Sequence, residues 1–200
     1  TIRLKGAFAE VEGCDLGDAL IERARHNYPD VTFSVSPAET FSPSRACDLV
    51  TSATSFYWMD RHAVLMNLKT WLKPGGLFCA YKYDFPLAYG PLRDYLEKEL
   101  VLRWAAHRDP RLTQYDDTLE LMQACPHLQQ AQREVFANII FLSAEDVALF
   151  FLSTSYVTRY IEQEGGEAYA HTFMEQVRSI GGDAPIAVNF DIHAFTAVNR

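Results

Sequence analysis

The chain has 200 residues, 48% of them hydrophobic, enough for one substantial core, and its net charge of −8 argues against binding nucleic-acid phosphate. The four cysteines, Cys14, Cys47, Cys79 and Cys125, are far apart and form no CxxC pair, which disfavours a disulfide framework or zinc knuckle and favours a reducing cytoplasm. No run approaches the ~18 apolar residues of a membrane span, and no signal-peptide pattern is visible.

The first ninety residues alternate short apolar runs with amphipathic segments, the pattern of a parallel α/β sheet. AEVEGC at 9–14 reads as a strand, and Asp18 is placed to cap a helix carrying Leu20, Ile21, Ala24 and Tyr28 at helical spacing. Pro29 and Asp30 end it before a strand at 31–35, and CDLVTSA at 47–53 reads as another strand. A helix over about 56–72 is expected, with Trp58, Leu65, Leu68 and Leu72 on one stripe. Lys73-Pro74-Gly75-Gly76 is then a turn into a strand at 77–83. From Pro86 to about Gln132 the pattern is helical and aromatic, with Leu92, Leu96, Leu100 and Trp104 in phase. Residues 135–142 read as a strand or an extended link, and Ser143 caps the next helix. A further helix lies between Gly165-Gly166 and Gly181-Gly182. The tail at 186–199 alternates like one long strand, plausibly antiparallel at the sheet edge.

Four segments in this order, VEGCDLGDALIERAR at 11–25, SPAETF at 36–41, CDLVTSATSFYWMD at 47–60 and LKPGGLFCAY at 72–81, resemble the class I S-adenosylmethionine-dependent methyltransferases, most closely the small-molecule "type 11" group. The resemblance covers about the first 85 residues well. It implies an α/β, Rossmann-like class I methyltransferase sheet, mostly parallel with an antiparallel last strand, and a helical lid insertion. The implied organisation is a cofactor-binding half over 1–85, a helical lid and substrate region over 86–142, and the rest of the same domain over 143–200. It also implies S-adenosyl-L-methionine as cofactor and a small-molecule acceptor, with no nucleic-acid, membrane or metal partner; homo-oligomerisation is left open.

The resemblance gives the site residues their roles. Asp15, ending the second strand of the family, would accept hydrogen bonds from two ribose hydroxyls; the competing reading is a turn or cap aspartate. Ala38 and Glu39 fall near the adenine, and Thr51, Ser52 and Ala53 meet the amino-acid part. Of the aromatic trio Phe56, Tyr57 and Trp58, Phe56 is expected on the cofactor side and Tyr57 on the substrate side, with Trp58 packed in the core. Tyr83 and Tyr156 are expected to reach the acceptor. Phe85, Tyr89, Trp104 and Tyr115 make the lid aromatic, or simply glue it to the core. No histidine is marked as a base, and no catalytic residue is assigned; positioning alone can supply much of the acceleration of an in-line methyl displacement.

The family's first strand and glycine-rich turn precede the acid, and here they would stand before Thr1. That strand lies mid-sheet between the second and the fourth, so its two neighbours would each lose a ladder partner. We expect ~30–50 further residues upstream; a segment from another chain, or a degenerate relative serving as a scaffold or subunit, are the rivals. A methyltransferase-like fold turned to a non-methylating reaction is a further one.

Overall fold

A computed structural model describes residues 1–200. In chain order it runs β1 (Glu12–Asp15), α1 (Asp18–Asn27), β2 (Thr32–Val35), β3 (Cys47–Ala53), α2 (Arg61–Trp71), β4 (Leu72–Tyr83), β5 (Leu87–Ala88), α3 (Leu92–Glu99) and α4 (Thr118–Ala124). It continues through β6 (Leu128–Phe136), β7 (Ile139–Leu142), α5 (Ala144–Leu152), α6 (Ser155–Tyr160), α7 (Gly166–Gly181), β8 (Ile186–Asn189) and β9 (Ile192–Asn199). No helix is long and apolar enough to cross a membrane.

The chain divides into two compact units. The first comprises Thr1–Ala80, Asp117–Gln132 and Phe195–Arg200; the second comprises Tyr81–Asp116 and Arg133–Ala194. α5, α6 and α7 group with 81–116, and α4 joins the first unit.

β1 and β2 pair in parallel, Glu12 opposite Thr32 through Asp15 opposite Val35, as a two-stranded sheet. A second sheet has the order β3-β4-β9-β6. β1 and β3, the strands expected to flank the family's first strand, therefore fall in different sheets, each with a single partner. A third, antiparallel sheet, β5-β8-β7, belongs to the second unit.

The first unit's core gathers Phe56, Leu65, Leu68, Phe78, Met122 and Phe195. Its strand β4 starts directly at the end of α2, because Leu72 is already extended. The LKPGG segment thus lies inside a strand, where a turn was expected. Gly75 has φ +78°, and a Cβ at Gly76 would stand 2.9 Å from the Lys73 carbonyl oxygen and 3.1 Å from that of Cys47. Only glycine allows that backbone approach. Asn199, buried at the end of β9, donates from Nδ2 to the Leu72 carbonyl at 3.0 Å.

The second unit's core is aromatic. Leu92, Leu96 and Trp104 are buried as their phase predicts, with Phe151, Val157, Phe173 and Val177. Trp104 stacks on Phe151 at 5.4 Å and meets Phe173 edge-on at 5.5 Å, so of the two lid readings it is the glue. Ser143 caps α5, accepting from the Asp146 N–H at 3.0 Å, and α7 ends at Gly182, φ +64°.

Three further expectations change. The helix after β3 begins at Arg61, because the Asp60 carboxylate accepts from the Ala63 N–H and sets the N-terminus there. The tail is two strands in different sheets. The Asn189 side-chain oxygen accepts from the Asp191 N–H and the Asp191 carboxylate from the Asn138 N–H, which breaks the ladder at Phe190-Asp191. Asp18 is the first helical residue of α1, not its cap, which is Gly17.

Candidate functional site

The carboxyl ends of β1, β2 and β3 lie in the first unit, together with the turns that follow them. Asp15 closes β1 and is exposed. Its Oδ1 accepts from the Gly17 N–H at 2.8 Å, an Asx turn written in the Asp-x-Gly spacing. Its carbonyl accepts from the Ser36 N–H at 3.0 Å, which ties the end of β1 to the segment after β2. A carboxylate has about four acceptor positions, and this turn uses one of them. The Gly17 bond orients the carboxylate and leaves its other acceptor positions unused by the turn.

Ala38 and Glu39 form a short 3-10 turn, Ala38–Thr40, and Ala38 packs against the first unit's core. Glu39 has a structural partner the sequence did not reveal. Its Oε1 accepts from the Asp60 N–H at 2.7 Å and its carbonyl accepts from Asn67 Nδ2 at 2.8 Å. The side chain thus anchors the start of α2. The Cys14 thiol reports how close these groups are: burial pushes it up first, then the charges of Asp15 and Glu39. Cys14 accordingly stays a thiol.

Thr51 and Ala53 are exposed at the end of β3, whereas Ser52 is buried and its Oγ lies 2.8 Å from Ser55 Oγ. Thr54, between them, has φ +49°, an unusual conformation for a β-branched residue. Its Oγ1 donates to the Ala53 carbonyl at 2.8 Å. Backbone strain of this kind collects at ligand edges.

The aromatic trio is arranged otherwise than expected. Phe56–Trp58 is a separate 3-10 turn, out of phase with α2. Phe56 is 4% exposed and meets Phe78 edge-on at 5.4 Å, which places it in the first unit's core. Trp58, expected in the core, is 38% exposed, and the half-buried Tyr57 packs on it at 5.0 Å. The helix start imposed by Asp60 is the cause.

Tyr83 and Tyr156 both belong to the second unit. Tyr83 is partly exposed against Phe190, ring centroids 5.5 Å apart. Tyr156 is buried, 6.4 Å from Phe85 and 6.1 Å from Trp104. Burial pushes its hydroxyl above the usual range, while Arg108 pulls it back and Tyr83 raises it further. The structure thus brings Tyr156 together with Phe85 and with Arg108, and sequence reading missed Arg108, because the HRDPR run around it has no periodicity to flag it.

The buried histidines are committed elsewhere: His127 Nε2 bonds the Leu65 carbonyl at 2.8 Å and His107 Nε2 faces Glu164 at 3.3 Å. His193 is held between Asp84 and Arg133. No group of three or more His, Cys, Asp or Glu side chains is placed to hold a metal ion.

Residues 1–80 match the family model described as a methyltransferase domain. A trans-aconitate 2-methyltransferase of Methylobacterium radiotolerans is 36% identical over 77 residues, 38% of this chain and 30% of that protein. The chain thus matches less than a third of that relative's length. Among solved structures, one from Anaeromyxobacter dehalogenans assigned to the type II methyltransferases superposes with a TM-score of 0.74 at 22% identity, over 98% of this chain and 83% of its own. A Haemonchus contortus phosphoethanolamine N-methyltransferase 2, solved with phosphomonomethylethanolamine and S-adenosylhomocysteine, superposes with a TM-score of 0.51 at 17% identity, over 99% of this chain and 45% of its own. Residues 1–80 are thus similar to a methyltransferase domain, and the chain carries the Rossmann-like α/β fold seen in these methyltransferase structures.

Proposed function

We propose that the protein transfers a methyl group from S-adenosyl-L-methionine to a small-molecule acceptor. The observation that carries this reading is Asp15. It ends β1 inside the matched methyltransferase segment, oriented by the Gly17 N–H, with acceptor positions left for a diol. The donor set fits the cofactor: Asp15 would accept from the ribose hydroxyls, the backbone at Ala38 and Glu39 would border the adenine, and Thr51 and Ser52 would meet the amino-acid part. When bound, the cofactor supplies an electrophilic methyl on a sulfonium.

The chain's own part is orientation and exclusion of water. Glu39 fixes the start of α2 and with it the Phe56–Trp58 turn, so Tyr57 is presented from a rigid element. Tyr83 and Tyr156 of the second unit serve the acceptor side. Their ring faces suit a sulfonium and an apolar portion of the acceptor. Holding donor and acceptor in line is a large share of the catalysis. The four cysteines are free thiols, which suits a reducing cytoplasm.

Calorimetric titration with S-adenosylhomocysteine tests the reading. Binding is expected, and Asp15→Ala should weaken it by about 1–3 kcal/mol, the worth of hydrogen bonds to a charged group. No binding to the unaltered protein, or equal affinity in the variant, would refute the assignment and leave the fold as a scaffold.

A further inference from the structure

Arg108 is a cation without an acid. Its guanidinium carbon lies 5.8 Å from the ring centroids of both Phe85 and Tyr156. Nη2 makes one long hydrogen bond to the Leu112 carbonyl, 3.5 Å, and Nε is buried with no partner. Other cations of the second unit have acids: Arg103 pairs with Glu99, Arg111 with Asp109 and Lys82 with Asp116. The chain has 26 acidic residues against 18 Lys and Arg, so acids are not scarce; none is turned toward this guanidinium. Ring faces attract the cation but do not take up its in-plane N–H groups. Those N–H groups form a planar fork whose natural partner is a carboxylate, bound bidentately. A buried N–H left unpaired is costly, so a side chain kept in this state suits a ligand that completes it. Phe85 and Tyr156, whose rings pack on each other, give the site an apolar wall.

We infer that Arg108, lying over the rings of Phe85 and Tyr156, anchors a carboxylate of the methyl acceptor and so determines acceptor specificity. The inference rests on the methyl-transfer reading for the identity of the ligand as acceptor. The anchor itself is a matter of binding and can be tested separately.

Ligand-observed NMR and calorimetry on the full chain would use trans-aconitate, its trimethyl ester and inorganic phosphate as probes, with and without S-adenosylhomocysteine. Trans-aconitate is expected to bind at least ~10-fold more tightly than the ester, and Arg108→Gln to weaken it by roughly 10–100-fold, the range for a lost charged hydrogen-bond pair. The same substitution should erase the preference for acid over ester while S-adenosylhomocysteine affinity stays unchanged. Arg108→Lys, which keeps the charge and the ring contacts, should retain part of the preference. A purely structural Arg108 would lower stability without moving that preference. The inference is overturned if the unaltered protein does not bind trans-aconitate, if it binds acid and ester equally, if Arg108→Gln keeps the discrimination, or if phosphate competes as well as the carboxylate. Trans-aconitate binding that depends on Arg108, with no binding of S-adenosylhomocysteine, would support the anchor and sink the methyl-transfer reading instead.

Discussion

Replacing Tyr169 by phenylalanine would remove one oxygen from the centre of the second unit. That hydroxyl donates to Glu99 Oε2 at 2.6 Å and accepts from Trp104 Nε1 at 2.9 Å. Glu99 is 3% exposed and its other carboxylate oxygen pairs with Arg103, so the carboxylate cannot turn to water when its donor is lost. Burial and the Glu99 carboxylate push the Tyr169 hydroxyl well above its ordinary range, so it remains a donor at any working pH. The Trp104 bond is neutral, about 1 kcal/mol, and the Glu99 bond is charge-assisted, about 1.5–3 kcal/mol. Their sum gives an expected loss of about 2.5–4 kcal/mol, or roughly 5–16 °C in Tm for a chain of this size. Phenylalanine keeps the stacking on Phe173, 5.9 Å away, so packing is not the variable. Urea unfolding with an unchanged slope would measure it, and combining the substitution with Glu99→Gln should cost less than the sum of the two. A loss below ~0.5 kcal/mol would refute the claim that this network is desolvated and structurally committed.

Gly76→Ala should destabilise by about 1–3 kcal/mol, because its Cβ meets two backbone carbonyl oxygens that cannot swing aside. Gly6→Ala, with nothing within 4 Å of the new Cβ, should be close to neutral in the same urea assay; equal effects at the two positions would contradict the packing argument. The Asp109 carboxyl is held at a pKa of about 2, below its ordinary 3.8, by hydrogen bonds from the Arg111 side chain and backbone. A lowered folded value means stabilisation that is present above the ordinary value and lost as pH falls through the folded one. Between about pH 4 and pH 2, Asp109→Asn should therefore flatten part of the acid-side stability slope. A carboxyl NMR titration with its midpoint at 3.8 would show that Arg111 does not hold it.

The amino-acid sequence alone determined those features that rest on local chemistry. Hydrophobic runs bounded by turn residues placed β3 at its observed bounds, Cys47–Ala53, and located β2 and α7. Ser143 capped α5, and Gly182 ended α7, because a cap is a hydrogen bond or a backbone angle available within a few residues. The order of segments resembled the family whose fold the chain carries. Asp15 was legible as the residue that ends β1, because the strand before it and the helix after it were equally legible.

Tertiary structure decided what depends on partners distant in sequence. Asp60 starts α2 five residues later than the apolar stripe suggests, which sends Phe56 inward and Trp58 outward. Periodicity could not show this, because a 3-10 turn changes the phase. The tail broke in two because Asn138, 53 residues before Asp191, takes the Asp191 carboxylate. Glu39 proved to be tied to Asp60, 21 residues on, and Arg108 to lie over Phe85 and Tyr156 without an acid. A hydrogen bond or ring contact between residues far apart in the chain leaves no spacing to read, so both the commitment of Glu39 and the unmatched charge of Arg108 appear only once the chain is folded.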